Sequence, residues 1–189
     1  MRLSGGTARG KPLRARGGRG VRPTASRVTD ALFNSLGPRV ADARVLDLFA
    51  GTGRLGMEAL SRGAQEAVFV ERDPRNAAAI KENLETVGLG PRAQVRRGNA
   101  LTAVVSLAAE GRRFDLIILD PPYGRGLARE TLGRVAATTV LAEGGLAIAE
   151  GHWRDDPGQV PGLECVRALR YGETAVWIYA KSAKKEEGV

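Results

Sequence analysis

The sequence contains little of what several classes of site require. Its single cysteine, Cys165, excludes an internal disulfide framework and a cysteine-rich zinc site. Its single histidine, His152, has no candidate ligand partners nearby, so no metal site is predicted. Cys165 has apolar neighbours, which predicts a packed strand residue, whereas His152 and Trp153 are predicted to lie in a loop.

Long apolar runs are also absent. No segment reaches membrane-spanning length, and the N-terminus lacks the apolar stretch of a signal peptide. These absences predict a cytoplasmic protein with no membrane contact. A chain of 189 residues is long enough to form one domain with a buried core.

Acidic residues are missing from the first 29 positions, because none precedes Asp30. The net charge of +8 and the pI of about 10.3 favour a polyanionic partner. We predict a basic arm or hairpin over residues 1–22 that contacts RNA, since arginine pairs with phosphate through two hydrogen bonds. A disordered basic tail is the alternative. The predicted RNA-binding residues are Arg9, Lys11, Arg14, Arg16, Arg22 and Arg27.

The chain is organised around an apolar run followed by closely spaced glycines. Residues 45–49 predict a parallel strand that is covered on both faces. Gly51, Gly53 and Gly56 follow at once, and the pattern from Leu55 predicts a helix. Such a glycine loop (Gly51–Gly56) suits a nucleotide, because glycine permits close backbone approach and the helix start offers free N–H groups. The spacing alone also fits a dinucleotide such as NAD.

Two further predicted strands end at polar side chains. Glu71 follows the apolar segment 67–70, about twenty residues beyond the glycines, where a ribose-binding carboxylate is expected. Asn99 and Ala100 follow the short strand predicted over residues 93–97. They are candidates for adenine contacts through a side chain and a backbone N–H, although asparagine also favours turns.

The strongest strand pattern, residues 114–119, leads directly into Asp120, Pro121, Pro122 and Tyr123. Ligands of open α/β sheets bind at the carboxyl ends of strands, so this segment is the predicted catalytic corner. A plain turn also accommodates Asp-Pro-Pro. Its combination with an upstream glycine loop favours the functional interpretation.

The strand and helix patterns together predict an α/β fold. Its sheet is mostly parallel and seven-stranded, with a C-terminal antiparallel hairpin over residues 164–169 and 174–180. We predict one catalytic domain over residues 23–181, preceded by the basic extension and followed by a solvated tail over residues 182–189.

These motifs resemble the class I S-adenosylmethionine-dependent methyltransferases, and more narrowly the bacterial RsmD family, over nearly the full length. The resemblance is carried by Gly5-Gly6, by Arg22-Pro23-Thr24 with Arg27-Val28 and Leu32-Phe33-Asn34, by residues 46–53 and 58–64, and by Asp120-Pro121-Pro122-Tyr123. It implies a Rossmann-like fold and methylation of N2 of a guanine in 16S ribosomal RNA. It also implies a substrate presented on a small-subunit particle; the enzyme itself is expected to be a monomer.

The resemblance assigns roles to individual positions. Those implied to contact S-adenosylmethionine are Asp47, Ala50, Gly51 and Gly53 at the methionine part, Glu71 at the ribose, and Asn99 with Ala100 at the adenine. Asp120, Pro121, Pro122 and Tyr123 are implied to bind the target base and to support transfer. Asp-Pro-Pro-Tyr alone marks amino methylation in general.

Three other functions share parts of this pattern. A DNA adenine-N6 methyltransferase uses the same Asp-Pro-Pro-Tyr chemistry, but nothing in the chain resembles a DNA target-recognition domain. An NAD-dependent oxidoreductase would leave residues 120–123 and the basic arm unexplained. A non-catalytic RNA-binding assembly protein would not need an intact glycine loop. The sequence therefore favours the rRNA methyltransferase.

Overall fold

The computed structural model describes residues 1–14 and 23–182. These described residues form five α-helices and seven strands. The helices are α1 (Pro23–Leu36), α2 (Arg54–Ser61), α3 (Pro74–Val87), α4 (Ala100–Ala109) and α5 (Leu127–Ala136). The strands are β1 (Arg44–Leu48), β2 (Glu66–Glu71), β3 (Ala93–Arg97), β4 (Phe114–Leu119), β5 (Leu141–His152), β6 (Leu163–Tyr171) and β7 (Thr174–Lys181). Within the described part of the chain, no helix combines the length and the apolar character needed to cross a membrane.

The strands form one sheet in the order β3-β2-β1-β4-β5-β7-β6. The first five are parallel, and β7 pairs antiparallel with both β5 and β6. The predicted α/β fold, with its mostly parallel seven-stranded sheet and terminal hairpin, is therefore confirmed. The strand order reverses between β1 and β4, and such a reversal opens a crevice at the carboxyl ends of those two strands.

Two apolar layers cover the sheet, because successive strand residues point to opposite faces. Val45 belongs to the cluster that packs α1, α2 and α3, whereas Leu46 and Leu48 belong to the cluster that packs α4 and α5. β4 alternates in the same way, because Ile118 belongs to the first of these clusters and Ile117 to the second. Burial on both faces explains why these strands are nearly continuous apolar runs.

The C-terminal region differs from the sequence prediction at two positions. Cys165 is exposed, because β6 is the edge strand of the sheet and most of its side chains face solvent. His152 lies at the end of β5 and not in the predicted loop, because pairing with β7 continues to the His152–Thr174 register. Trp153 lies in the turn that follows.

Residues 1–14 fold back on themselves and pack against α2. Antiparallel backbone bonds join Leu3 N–H to the Lys11 carbonyl and Leu13 N–H to the Met1 carbonyl. The Glu58 carboxylate, which is 1% exposed, accepts from the backbone N–H and the hydroxyl of Ser4. Leu3 and Leu13 are buried, so this segment is part of the core. Residues 15–22, which include Arg16 and Arg22, and the tail 183–189 lie outside the described residues.

Gly6→Ala tests this docking. Gly6 has a φ of +71°, and an added Cβ would lie 1.8 Å from the Ser61 carbonyl oxygen, which belongs to helix backbone. The left-handed conformation costs about 1–2 kcal/mol for alanine, and the overlap adds about 1–3 kcal/mol. Urea unfolding should show a loss of free energy equal to the sum of both costs.

Gly10→Ala is the matched control for this prediction. Gly10 also has a positive φ, of +79°, but an added Cβ meets nothing within 4 Å. It should lose only the conformational part of the free energy of unfolding. Equal losses in the two variants would contradict the close packing of the hairpin on α2.

Candidate functional site

The predicted site residues converge at the carboxyl edge of the sheet. β1 lies between β2 and β4, with Leu48 paired to Val70 on one side and to Leu119 on the other. The residues that follow these strands are therefore neighbours. The glycine loop, Glu71 and Asp120 thus lie around the crevice at the point of strand reversal.

The glycine loop is held by short backbone contacts. Phe49 has a φ of 58° and Gly53 a φ of 75°, so the chain turns sharply between β1 and α2. Gly53 N–H donates to the Ala50 carbonyl at 2.7 Å. A Cβ on Gly53 would lie 2.9 Å from Met57 Cε, so the loop packs directly on α2. Positive φ and close packing explain the glycine at this position.

Glu71 joins the end of β2 to the glycine loop. Its Oε2 accepts from Gly51 N–H at 2.7 Å, and its Oε1 accepts from Asp73 N–H at 2.7 Å. The side chain is nearly buried, with 9% of the residue exposed. A carboxylate oxygen can accept more than one hydrogen bond, so each oxygen keeps capacity for a ligand hydroxyl.

Asn99 and Ala100 lie at the start of α4. The Asn99 Oδ1 accepts from Leu101 N–H at 2.8 Å, so the side chain is the N-cap of that helix. Ala100 is buried and Asn99 is exposed. The turn-forming role considered for asparagine is therefore present, and an adenine contact remains a prediction.

Asp47 lies beneath the glycine loop. It is 2% exposed, and its Oδ2 accepts from Gly56 N–H at 2.8 Å. Burial, reinforced by the charges of Glu71 and Glu150, raises the pKa of Asp47 to about 7, although the Gly56 N–H and Arg54 act against this shift. Asp47 therefore supports the backbone from below, and its burial separates it from the open side of the crevice.

The Asp-Pro-Pro-Tyr segment forms the other wall. Asp120 N–H lies 3.5 Å from the Leu48 carbonyl, which ties the segment to the end of β1. Pro121 is buried, whereas Pro122 and Tyr123 are exposed. A cavity of about 140 Å³ lies next to this segment, between the start of α5 and the end of β5. Its lining includes Pro121, Pro122, Tyr123, Arg129, Glu150 and Asp155.

Sequence reasoning missed two functional candidates at this site, Glu150 and Arg54. Glu150 is 5% exposed, and no group of the described residues donates to its buried Oε2. It flanks Asp120 because Ala149 pairs with Leu119 in the parallel register. Burial and the neighbouring Glu150 carboxylate raise the pKa of Asp120 well above its usual range, and Arg54 opposes the shift.

Burial raises the pKa of Glu150 as well, and the Arg54 cation again opposes the shift. The guanidinium of Arg54 also donates to Thr29 on α1. An acidic residue inside an apolar strand was the available signal for Glu150. Nothing local in the sequence distinguishes Arg54 from the other arginines.

Asp47→Asn tests the buried carboxyl. Because its pKa is higher in the folded than in the unfolded chain, the folded chain binds more protons and stability falls as pH rises toward 7. The whole effect amounts to about 4 kcal/mol at most, at about 1.4 kcal/mol per pKa unit. Asparagine keeps an acceptor for Gly56 N–H and does not titrate. Urea unfolding between about pH 5 and pH 8 should show a flatter dependence than in the parent protein.

Asp115→Asn is the control for the titration of Asp47. Arg44 lowers the pKa of Asp115 through a side-chain hydrogen bond, so this carboxyl titrates at more acidic pH. Its replacement should leave the slope above about pH 5 unchanged. If Asp47→Asn also left that slope unchanged, Asp47 would not carry the predicted pKa.

Those predicted RNA-binding residues that the structure describes lie on and near the N-terminal hairpin. Arg9, Lys11 and Arg14 are exposed there, and Arg27 is exposed on α1. Arg14 N–H donates to Asn83 Oδ1 on α3 at 2.8 Å, and the Asn83 amide also contacts the Thr52 carbonyl. The hairpin therefore adjoins the glycine loop. Among residues 1–14 and 23–182, no cluster of three or more His, Cys, Asp or Glu side chains is placed to hold a metal ion.

Comparisons with known proteins match this geometry along nearly the whole chain. The family model described as conserved hypothetical protein 95 matches residues 1–180. The ribosomal RNA small subunit methyltransferase D of Escherichia coli (strain K12) is 35% identical over 187 residues, which cover 98% of this chain and 92% of that protein.

Solved structures share the same architecture. The Escherichia coli protein yhhF is 35% identical and superposes with a TM-score of 0.84, over 97% of this chain and 99% of that one. SMU.776, crystallised as a complex with SAH, is 19% identical and superposes with a TM-score of 0.66, over 85% of this chain and 50% of that one. At that identity the second likeness concerns the fold alone.

Proposed function

Since the chain belongs to the RsmD family of S-adenosylmethionine-dependent rRNA methyltransferases, we propose that it methylates the exocyclic N2 of a guanine in 16S rRNA. The single observation that carries this proposal is the juxtaposition of the glycine loop and the Asp-Pro-Pro-Tyr segment across the β1–β4 crevice. One wall suits a nucleoside cofactor. The other suits a flat base that carries an amino group.

The residues around the glycine loop fit S-adenosylmethionine, which supplies an electrophilic methyl group when bound. Side chains at Gly51 or Gly53 would be strained by positive φ, so the backbone there stays open to close approach. Glu71 would accept from the ribose hydroxyls, because its oxygens lie at the edge of the loop and each retains a lone pair. Asn99 and Ala100 would border the adenine, and Asp47 would keep the loop in place from beneath.

Asp120 would bind the target amine. The N2 group of guanine is a weak nucleophile because its lone pair is delocalised into the ring. Accepting its two N–H bonds at the Asp120 carboxylate and the Pro121 carbonyl would favour a pyramidal nitrogen with its lone pair directed toward the methyl donor. The two prolines restrict the backbone, so the acceptors are oriented before the substrate arrives.

Tyr123 and the adjoining cavity would hold the base itself. Tyr123 is 45% exposed at the rim of the cavity, and a ring in this position can stack on a base. A guanine must leave its own stack to reach this depth, which favours a loop nucleotide or an extruded one. Glu150 lines the same cavity, and its carboxylate raises the pKa of the neighbouring Asp120.

The substrate context follows from the same proposal. We propose that the protein acts as a monomer on 16S rRNA within a small-subunit particle, in the cytoplasm. The exposed arginines of the N-terminal hairpin would contact the phosphates of this RNA.

Methyl transfer with labelled cofactor tests the proposed function. The protein should transfer label to 16S rRNA, naked or in a small-subunit particle, and nuclease digestion with mass spectrometry should identify a single N2-methylguanosine. Duplex DNA serves as the comparison substrate. Label on adenine N6, or transfer to DNA and not to rRNA, would overturn the proposal.

Removing two hairpin charges should weaken RNA binding. Arg9→Ala combined with Arg14→Ala leaves the Lys11 contact to the Val87 carbonyl and the Arg14 backbone bond in place, so the hairpin stays docked. Loss of two phosphate contacts should reduce the slope of log affinity against log salt by about 1.4 for single-stranded RNA. Fluorescence anisotropy with 16S rRNA fragments measures this slope.

The matched control removes two charges from the opposite end of the sheet. Arg39 and Arg113 are exposed next to the amino ends of β1 and β4. Arg39→Ala combined with Arg113→Ala should keep the parent slope. If both double variants behaved alike, RNA contact by the hairpin would be refuted.

A further inference from the structure

Next to Tyr123, the end of β5 carries a group of aromatic and cationic side chains to which the proposed function gives no role. We name Tyr123, His152, Trp153, Arg154 and Arg170 the Trp153 surface. The turn after β5 is fixed to the β6–β7 hairpin by Trp153 N–H, which donates to the Glu173 carbonyl at 3.0 Å. Of these five residues only Tyr123 lines the cavity, so the surface starts at the Asp-Pro-Pro-Tyr segment and continues beyond the cavity.

Three rings follow one another along this surface. The centroids of Tyr123 and His152 are 6.3 Å apart with the rings tilted by 59°. His152 and Trp153 are 5.9 Å apart with an angle of 30°. Tyr123 is the exposed end of the row, and His152 and Trp153 are half-buried. Aromatic side chains in such a row offer stacking positions for successive bases of a single strand.

Two arginines are held against the indole. The guanidinium of Arg154 lies 5.0 Å from the Trp153 ring centroid, and that of Arg170 lies 4.2 Å from it. Arg170 Nε also donates to the Gly172 carbonyl, which further restricts that side chain. Both residues are exposed. The indole thus orients two permanent charges at the end of the row of rings.

These arginines differ from three arginines elsewhere in the chain. Arg44, Arg96 and Arg112 form ion pairs with carboxylates. Within the described residues, no carboxylate lies within ion-pair distance of Arg154 or Arg170.

The two acidic residues that directly follow Arg154 in the chain accept hydrogen bonds from backbone N–H groups. Asp155 accepts from Gly124 N–H at 2.9 Å, and Asp156 accepts from Gly158 N–H at 2.8 Å. Both carboxylates line the cavity, where a base with donor groups would lie. The two guanidinium groups therefore keep donors for an external anion.

We infer that the Trp153 surface binds the RNA strand next to the target nucleotide, with backbone phosphates on Arg154 and Arg170 and a flanking base against the His152 ring beside Tyr123. This inference rests on the proposed function, because it assigns the strand that carries the target guanine. A base that enters the cavity pulls its neighbours toward the rim, and fixing their phosphates stabilises the extruded position. The N-terminal hairpin would contact other parts of the same RNA.

Arg154→Ala combined with Arg170→Ala tests the inference. We expect the KM for 16S rRNA, or for the small-subunit particle that is the better substrate, to rise by about 10-fold, and the salt slope of RNA binding to fall by about 1.4. Calorimetric binding of S-adenosylhomocysteine should match the parent protein. Arg154→Lys with Arg170→Lys should restore most of the salt slope but less of the affinity, because lysine keeps the charge without the planar fork.

The Arg39→Ala, Arg113→Ala double variant is again the matched control, and circular dichroism verifies that each variant is folded. An unchanged salt slope and KM in Arg154→Ala, Arg170→Ala would overturn the inference. Failure of the proposed function is a separate result, because the parent protein itself would then transfer no methyl group to rRNA. The anisotropy measurement still decides whether this surface binds RNA in that case.

Discussion

Asp120→Asn should lower kcat for rRNA methylation by about 10²–10⁴-fold, the range typical of a lost proton acceptor or preorganised charge at a reaction centre. The amide keeps the shape of the side chain but replaces one acceptor oxygen with a donor, which would face the donor N–H groups of the target amine. Binding of S-adenosylhomocysteine should stay close to that of the parent protein, because the proposed function assigns Asp120 to the target base and not to the cofactor. Single-turnover methylation and calorimetry measure the two effects separately.

Glu150→Gln is the control that tests whether the ionisation of Asp120 controls the rate. The Glu150 carboxylate raises the pKa of Asp120, so its removal should lower that pKa. Because the ionised carboxylate is the active form, the acidic limb of the pH profile should move to lower pH in Glu150→Gln. An unmoved limb would show that Asp120 is not the group that controls it. Retained turnover in Asp120→Asn would refute the assignment outright.

Glu71→Ala should raise the Kd for S-adenosylhomocysteine by about 10²-fold. Hydrogen bonds to a charged group contribute about 1.5–3 kcal/mol each, so the loss of one ribose contact alone accounts for at least 10-fold. The variant also removes the acceptor for Gly51 N–H and Asp73 N–H, which loosens the glycine loop. Calorimetric titration measures the affinity, and the KM for rRNA at saturating cofactor should change much less.

Glu66→Ala is the matched control on the same strand. Glu66 lies at the opposite end of β2, where it pairs with Arg112 on the surface. Its removal deletes an equal charge and should leave cofactor affinity at the parent value. If Glu71→Ala bound S-adenosylhomocysteine as tightly as Glu66→Ala, the ribose role of Glu71 would be wrong.

The two walls of the crevice were accessible from sequence because each is a local pattern. An apolar run that leads into glycines defines the loop after β1, and the same type of run leads into Asp120 after β4. Parallel strands then bring both ends to one edge of the sheet. Local pattern did not predict the end of β5, because pairing with β7 rather than composition keeps His152 in the strand. The exposure of Cys165 follows likewise from the edge position of β6.

The sequence by itself determined the class of fold, the family, and the segments that border the crevice, since these depend on residue order along single strands and turns. Only the tertiary structure decided which charged side chains lie close together in the buried, low-dielectric interior. Glu150 acts on Asp120 because two strands lie side by side, and Arg54 opposes both from a helix. The tertiary structure also decided that Arg154 and Arg170 both contact the indole of Trp153. Electrostatic and stacking interactions depend on distance in space. Residues that are far apart in the chain come close enough to interact only when the sheet has formed.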